Sequence, residues 1–363
     1  MEFVDLQAQY RAYQAELETA IGQVLASSRF INGPQVGELE KKLAEFVGRR
    51  QAVACASGTD ALQLALLALG IGPGDEVITT PFTFIATAET IALCGAKPVF
   101  VDIEERTFNL DPEKLAAALT PRSKAIIAVD LYGHPAAYDE ISAFASEHGL
   151  RLIEDAAQSL GADYRGRRCG SFGDLAATSF FPAKPLGCYG DGGMLFTDDE
   201  ELAGKLRSLR NHGQKKRYYH ELIGCNSRLD TLQAAVLLVK LEHFPEEIDR
   251  RNRVAGNYSR ALGEDFTIPV VEEGCRSVFA QYTLRSRRRE AVLAGLGEAG
   301  IPYAIHYPVP LHLQPAFAGL GYAAGAFPVA ERAAAEVFSL PMHPFLDFET
   351  QSRIIETLKR CTS

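Results

Sequence analysis

The sequence lacks the features that mark membrane, secreted and zinc-binding proteins. Its longest apolar stretch, "ALQLALLALGIG" at 61–72, is well short of the roughly 20 residues that a helix needs to span a bilayer. The charged N-terminal stretch has no apolar core of a signal peptide. Seven scattered cysteines form no C-x-x-C pair, which argues against a disulfide framework and a zinc site. We therefore expect no membrane segment and a reducing, cytoplasmic location.

Nucleic-acid and metal motifs are also missing. The net charge is -9, and the only notable basic runs are "KKR" at 215–217 and "RSRRR" at 285–289, so we expect no nucleic-acid partner. The chain has no G-K-S, G-K-T or H-E-x-x-H motif, and its histidines show no spacing typical of metal ligands. The run "GIGPGD" follows a helix and precedes a strand, the reverse of a Rossmann fingerprint. We predict no metal and interpret this run as a turn.

What the sequence does contain is an alternation of short β-branched runs with longer helical patterns from residue 51 onward. Seven runs read as strands, and they lie at "QAVACA", "DEVITT", "KPVFVDI", "KAIIAVDLYG", "RLIEDAA", "LAATSFF" and "GGMLFTDD". This alternation is typical of β-α-β units and of a mostly parallel sheet covered on both faces. The predicted fold class is α/β, with a large domain and a smaller one.

The domain boundary is predicted from the helical stretch at 227–262. We interpret it as a helical region broken at Pro245, because proline interrupts helices. The predicted domains are 1–245, a large ligand-binding domain, and 246–363, a small α+β domain. A further hypothesis is that the N-terminal helix packs with the small domain.

Residues at the carboxyl ends of parallel strands are the first candidates for a ligand site. In "ASGTDAL", Gly58 and Thr59 lie between a strand and a helix, where backbone N–H groups favour a phosphate, although a simple helix cap is the alternative. Asp155 ends an apolar strand and Gln158 follows it. A buried carboxylate needs a cation or several donors, so a ligand cation and a structural ion pair both remain open.

Two more candidates lie at strand ends. Lys184, in "SFFPAKPLGCYGDGG", follows Phe180, Phe181 and Pro182, which would desolvate its amine and lower its pKa; a solvated lysine is the alternative. Phe84 in "PFTFIATAET" would cover a flat ring or belong to the core. A phosphate cradle, a carboxylate for a ring cation, an aromatic lid and a desolvated lysine are together the parts that hold pyridoxal 5'-phosphate (PLP) as a Schiff base.

The sequence resembles the DegT-type sugar-nucleotide aminotransferases, PLP enzymes of the aspartate-aminotransferase fold (fold type I). The resemblance runs nearly end to end, through "FINGPQVGELE", "ASGTDAL", "GPGDEVITTPFTFIATAETI", "IEDAAQSLGA", "SFFPAKPLGCYGDGG", "NSRLDTLQAA" and "HYPVPLHLQP". It implies a large domain with a mostly parallel seven-stranded sheet flanked by helices and a small C-terminal α+β domain.

The resemblance also assigns roles to residues. It makes Lys184 the Schiff-base lysine, Asp155 the partner of the pyridinium nitrogen, and Gln158 a hydrogen-bond donor to the phenolic oxygen. The remaining cofactor contacts that it implies are Phe84 over the ring, Gly58, Thr59 and Ser179 at the phosphate, and Asn226 at the phosphate of the other subunit of a homodimer. The implied substrate contacts are Phe30, Arg228, His306 and Tyr307.

The implied reaction is PLP-dependent transfer of an amino group from L-glutamate to a keto sugar nucleotide. Within the family the sequence looks most like enzymes that aminate the 3-keto group of a UDP-linked 2-acetamido-2-deoxy-hexuronic acid, for 2,3-diamino uronic acids of surface polysaccharide such as O-antigen in lipopolysaccharide biosynthesis. The alternatives are a 4-keto-6-deoxy sugar nucleotide as substrate and a non-catalytic regulator on the same fold. Ala183 stands where relatives usually carry Ser or Thr, so a hydroxyl contact to the substrate is lost or replaced.

Overall fold

The computed structural model describes residues 1–362 of the chain. Its helices are α1 Leu6–Ser27, α2 Pro34–Val47, α3 Gly58–Ala68, α4 Ala86–Leu93, α5 Leu115–Ala118, α6 Tyr138–Glu147, α7 Glu200–Leu209, α8 Thr231–Leu262, α9 Arg289–Glu298, α10 Pro328–Glu336 and α11 Phe348–Thr362. Its strands are β1 Gln51–Cys55, β2 Glu76–Thr79, β3 Lys97–Phe100, β4 Ser123–Val129, β5 Arg151–Asp155, β6 Asp163–Tyr164, β7 Arg167–Arg168, β8 Leu175–Ser179, β9 Gly193–Thr197, β10 Gln214–Lys216, β11 Tyr219–His220, β12 Cys275–Arg276, β13 Tyr282–Arg285 and β14 Val337–Leu340.

A seven-stranded sheet forms the centre of the molecule, in the order β1-β9-β8-β5-β4-β2-β3. The strand pairs β8–β5, β5–β4, β4–β2 and β2–β3 are parallel. Strand β9 runs antiparallel to both of its neighbours, β1 and β8. The α/β fold and the mostly parallel sheet are thus confirmed, and all seven predicted strands belong to this sheet. Their β-branched and alanine-rich runs fit strands that are buried on both faces.

Helices cover both faces of the sheet. On one face α3 and α7 pack their apolar residues against alternate strand residues such as Val53, Ile127 and Leu195. On the other face α2, α6 and α8 bury their apolar stripes against Ala54, Ile126 and neighbouring strand residues. Because side chains alternate along a strand, each strand contributes to both layers.

This topology gathers several strand ends and one helix start at a single edge of the sheet. The parallel strands β4, β5 and β8 end at Val129, Asp155 and Ser179, respectively. Helix α3 begins at Gly58, directly after β1. The candidate residues therefore lie where a parallel sheet places its ligands.

Helix α8 runs unbroken through Pro245, so the predicted break at this residue is wrong. Pro245 removes one hydrogen bond of the helix, but α8 packs along both α1 and α2 and keeps Leu241 and Phe244 buried. Tertiary packing therefore outweighs the local cost of the proline. A domain boundary near residue 245 stays a prediction.

A separate core lies beyond the middle of α8. It joins the second half of α8 to α9, α11, β13 and β14, with Tyr258, Tyr282 and Phe338 among its buried rings. Helix α1 packs along α8, where Tyr13 stacks on His243 with ring centroids 4.0 Å apart. The residues before α1 contact the C-terminal segment, since Met342 N donates to Phe3 O at 3.2 Å. Within residues 1–362, no helix has the length and apolarity that crossing a membrane requires.

Candidate active site

Lys184 lies in the turn that follows β8. Its backbone N–H donates to Phe181 O at 2.8 Å, which closes the turn between two prolines. Burial lowers the pKa of the Lys184 amine, and the nearby Asp155 carboxylate partly opposes this shift. Of the two phenylalanines expected to desolvate the amine, Phe180 is fully buried and Phe181 is 53% exposed. The amine is therefore held closer to its neutral, nucleophilic form than a surface lysine is.

Asp155 is a buried carboxylate with neutral partners. Thr87 Oγ1 donates to its Oδ2 at 2.8 Å, and Ala157 N donates to its Oδ1 at 3.3 Å. Burial raises the pKa of Asp155, while these two donors and the charge of Lys184 pull it back. Among residues 1–362 no lysine or arginine forms an ion pair with it. A cationic N–H group would give Asp155 a charged hydrogen-bond partner and favour its carboxylate form.

Gln158 presents its amide N–H groups toward the same site. Its Oε1 accepts from Tyr132 N at 2.7 Å, which fixes the orientation of the amide, and its Nε2 donates to the Tyr307 hydroxyl at 3.3 Å. The side chain is 4% exposed. Since the amide oxygen is already bound, the group that remains for a ligand oxygen is a donor.

Phe84 lies at the open side of the site. Its ring is 53% exposed, so the alternative of a core residue is wrong. The ring centroid is 6.3 Å from that of Tyr307, at an interplanar angle of 40°. Cover of a bound ring by Phe84 stays a prediction, and its exposed position is compatible with that role.

The start of α3 and the end of β8 form a close-packed cradle. Ser57 caps α3, with its Oγ accepting from Asp60 N at 3.0 Å, so the N–H groups of Gly58 and Thr59 have no acceptor within the helix. A Cβ on Gly58 would lie 2.6 Å from the Cβ of Ser179. Only glycine allows this approach. The positive end of α3 and the Ser179 hydroxyl then suit a phosphate.

His306 and Tyr307 belong to the same site as Lys184. Burial, with the charge of Lys184 as a smaller cause, lowers the pKa of His306 to about 4, so its ring is neutral near pH 7. Its Nδ1 lies 3.0 Å from Ser339 Oγ, and its backbone carbonyl accepts from the Tyr132 hydroxyl. Burial also raises the pKa of the Tyr307 phenol, which keeps it protonated.

The segment 224–230 forms a second group beside the cradle. Ser227 Oγ accepts from Ala56 N at 3.2 Å, while Asn226 is exposed. Arg228 donates from Nη1 to Asn211 Oδ1 at 2.9 Å, and its buried Nε has no partner.

Phe30 lies next to this segment, because its carbonyl accepts from Thr231 N at 2.9 Å, and its side chain is 43% exposed. Within the described part of the chain, no hydrogen bond or ion pair joins Phe30, Asn226 or Arg228 to Lys184 or Asp155. These three predicted contacts therefore form an outer group, and Lys184, Asp155, Gln158, His306 and Tyr307 form an inner one.

Two residues of the inner site were missed by sequence reasoning. Thr87 supplies the hydroxyl bound to Asp155, and Tyr132 fixes Gln158 through its N–H and His306 through its hydroxyl. Thr87 lies on α4, one turn beyond Phe84, and Tyr132 follows the end of β4. The strand-end rule that selected Asp155 also covers Tyr132, but nothing in the sequence distinguishes Thr87 from the other threonines nearby.

The donor set fits PLP. A pyridinium N–H suits the raised-pKa carboxylate of Asp155, and the phenolic oxygen suits the free N–H of Gln158. The glycine cradle between Gly58 and Ser179 suits the phosphate, and the desolvated amine of Lys184 suits the aldehyde. These fits rest on the contacts within the chain, and the individual contacts to the cofactor stay predictions.

Comparison with known proteins identifies a family of aminotransferases. The profile of the DegT/DnrJ/EryC1/StrS aminotransferase family matches residues 12–359. The UDP-2-acetamido-2-deoxy-3-oxo-D-glucuronate aminotransferase of Pseudomonas aeruginosa is 54% identical over 348 residues, covering 96% of each chain. The UDP-N-acetyl-3-dehydro-α-D-glucosamine 3-aminotransferase of Acidithiobacillus ferrooxidans is 48% identical over 358 residues, covering 98% of this chain and 96% of that one. A pleiotropic regulatory protein of Geobacillus stearothermophilus is 49% identical over 359 residues, covering 98% and 96%.

Solved structures carry the same fold. A DegT/DnrJ/EryC1/StrS aminotransferase from Brucella abortus superposes with a TM-score of 0.98 at 47% identity, covering 100% of both chains. The NtdA protein of Bacillus subtilis, solved with bound cofactor PMP, has a TM-score of 0.90 at 31% identity, covering 96% of this chain and 81% of that one.

Proposed function

Because the chain belongs to the DegT/DnrJ/EryC1/StrS aminotransferase family, we propose that it aminates the 3-keto group of a UDP-linked 2-acetamido-2-deoxy-hexuronic acid, with L-glutamate as donor. The observation that carries this proposal is the 54% identity to the 3-oxo-glucuronate aminotransferase across 96% of both chains. A second relative whose name specifies the 3-position supports the same keto group. The inner site, with its desolvated lysine, supports transamination.

The chain is an aminotransferase that uses PLP as its cofactor. Bound PLP supplies an electron sink for the charge that develops at the α-carbon of the amino donor. We propose that Asp155 holds the ring nitrogen and keeps it protonated, since its carboxylate gains a cationic partner. Gln158 orients the ring by donating to its phenolic oxygen, and the start of α3 holds the phosphate.

Lys184 is the proposed acid and base of the reaction. Its amine takes a proton from one carbon and returns it to another, a task for which a lowered pKa is suited. His306 faces it as a neutral ring, so it adds no competing charge. Phe84 and the neighbouring Tyr307 ring would exclude water from the reacting atoms.

The proposal extends to the assembly, the pathway and the cellular location of the protein. The molecule would act as a homodimer in which Asn226 serves the phosphate site of the partner subunit. Its product would feed 2,3-diamino uronic acid and surface polysaccharide synthesis. Its place would be the cytoplasm, which suits seven cysteines that are all free.

The substrate is tested with a panel of keto-sugar nucleotides. Purified protein is incubated with glutamate and one nucleotide-linked keto sugar at a time: the 3-keto hexuronic acid, the neutral 3-keto N-acetylglucosamine or a 4-keto-6-deoxy sugar. Mass spectrometry then identifies the aminated product. We expect turnover of the acidic 3-keto sugar. Turnover of the 4-keto sugar alone would overturn the assignment.

The cofactor is tested by the visible absorption of the purified protein. We expect Lys184→Ala to abolish the band of the lysine-bound cofactor. Lys240→Met is the control, because Lys240 is a buried lysine outside the inner site, and its loss should leave the band in place. A wild-type protein without the band, and without amino exchange between glutamate and 2-oxoglutarate, would instead favour the non-catalytic regulator.

A further inference from the structure

A small polar cavity lies beside Lys184 on the side of the N-terminal segment. Its volume is about 10 Å³, and its lining includes Lys184, Gln9, Arg251, His343 and Asp5. The lining comes from separate parts of the chain: the start of α1, the middle of α8, the lysine turn and the segment after β14. The predicted roles of the inner site use none of these residues except Lys184.

Three buried polar atoms in this lining have no hydrogen-bond partner in the described chain. They are Gln9 Oε1, Arg251 Nε and His343 Nδ1. The three side chains are 8%, 3% and 4% exposed, respectively. A buried polar atom without a partner destabilises the folded state, and three such atoms on residues that line one cavity indicate a shared ligand.

The neighbouring contacts fix how these atoms are presented. Gln9 Nε2 donates to both oxygens of the buried Glu247, at 2.9 and 3.0 Å, so its Oε1 is the amide atom left over. Arg251 donates from Nη1 to Phe279 O at 3.3 Å, which leaves its Nε–H as a separate donor. The cavity therefore offers one donor, one acceptor and one imidazole nitrogen that takes either role.

A single water molecule matches both the volume and this set. A buried water needs at least about 10–15 Å³ and makes about three hydrogen bonds. It would accept from Arg251 Nε, donate to Gln9 Oε1 and bond to His343 Nδ1. An organic ligand or a phosphate is too large for this volume.

We propose that this cavity is a binding site for one water molecule, held by Arg251, Gln9 and His343, through which the Lys184 amine exchanges protons with solvent. In each exchange the water accepts a proton from Lys184 and passes one of its own outward, so charge and atoms balance. The outer wall is thin, because Val4, Asp5 and Leu6 are only half-buried.

The first test is crystallographic and needs no activity. A high-resolution structure of the cofactor-free protein should show one water within hydrogen-bond distance of the three atoms. In His343→Phe this water should be displaced, and in His343→Asn, whose amide replaces Nδ1, it should return. A cavity without a water in the wild-type crystal would overturn the proposal.

The second test rests on the proposed function and measures proton partition rather than rate. In D2O, the deuterium that appears at the α-carbon of glutamate per amino group transferred reports exchange at Lys184. We expect His343→Phe to lower this ratio several-fold and His343→Asn to restore it. His312→Phe is the matched control, because His312 is also buried with an unpartnered Nδ1 but lies outside the cavity.

The two tests separate the possible failures. An unchanged ratio in His343→Phe, with amino transfer intact, would overturn the exchange role even if the water is seen. A protein that transfers no amino group would refute the proposed function, while the crystallographic test of the water site would still stand. If His343→Phe does not fold, His343→Leu and Arg251→Lys, which lacks the Nε donor, replace it.

Discussion

Single hydroxyl groups set the electrostatics of the inner site. Thr87→Val removes the donor to Asp155 at nearly constant volume, so the pKa of Asp155 should rise further and its hold on a ring cation should weaken. A hydrogen bond to a charged group is worth about 1.5–3 kcal/mol, so we expect the dissociation constant of PLP to rise about 10-fold or more. Equilibrium dialysis against PLP measures this change.

Thr90→Val is the control for this change. Thr90 lies on the same helix, but its hydroxyl donates to Ala86 O within α4 instead of to Asp155. Its replacement should leave PLP affinity unchanged. Equal losses in the two variants would mean that Thr87 acts through helix packing and not through Asp155.

Arg228 offers a way to distinguish an acidic sugar from a neutral one. Its half-buried guanidinium keeps an unpartnered Nε, which suits a carboxylate in bidentate geometry. If it binds the uronic carboxylate, Arg228→Met should raise KM for the acidic 3-keto sugar about 10- to 100-fold and leave the neutral 3-keto sugar nearly unaffected. Steady-state kinetics on both substrates measures the difference. A similar rise for both would place Arg228 at the shared diphosphate.

At the scale of elements, the start of α3 requires glycine for packing reasons. In Gly58→Ala the new Cβ would approach the Cβ of Ser179 to 2.6 Å, so helix and strand must move apart. Overpacking of this kind costs about 1–3 kcal/mol, and we expect a lower melting temperature and loss of PLP during dialysis. Gly37→Ala is the control, because nothing lies within 4 Å of its added Cβ, and it should be neutral or slightly stabilising.

The elements differ in how far the sequence predicts them. All seven sheet strands follow from β-branched runs bounded by turns, because burial on both faces leaves a strong local pattern. The predicted break at Pro245 was wrong, because the packing of α8 against α1 and α2 cannot be read from the residues around the proline. Asp155 and Lys184 could be predicted because they are reactive side chains that end or follow a strand. Thr87 was missed because its role depends on which face of α4 meets the end of β5.

A buried carboxyl group makes the stability of the whole molecule depend on pH. Burial raises the pKa of Asp130 to about 6, although Ala136 N, Tyr138 and Ser159 donate to it. An acid with a raised pKa in the folded state holds a proton that the unfolded chain releases from about pH 4, so its contribution to stability falls as pH rises from about 4 to 6.

Asp130→Asn removes this titration and keeps an oxygen for Ala136 N and Tyr138. The fall in unfolding free energy between pH 4 and 6 should be smaller than in the wild type. Urea unfolding at several pH values measures it. The buried Glu154 carboxyl, whose pKa is raised by its own burial and by the Asp130 charge, titrates together with Asp130, so the variant reports the two groups jointly. Parallel pH profiles of the two chains would contradict the assignment.

Assembly determines whether one chain makes a complete site. The hairpin of β10 and β11, where Tyr218 is 81% exposed, lies shortly before segment 224–230. Ile223, between the hairpin and this segment, is 94% exposed, so this region is suited to meet a partner. Ser227, however, contacts Ala56 of its own chain. The question is therefore which cradle Asn226 serves.

Mixing two variants, each defective at one of the two residues, answers this question. Lys184→Ala lacks the amine and Asn226→Ala lacks the proposed phosphate contact. In a heterodimer with shared sites, one site combines the intact Lys184 of one protomer with the intact Asn226 of its partner, and the other site lacks both. Random exchange makes half of the dimers mixed, so activity should recover to about a quarter of the wild-type value. If each chain completes its own site, mixing restores nothing, because every site then lacks one of the two residues.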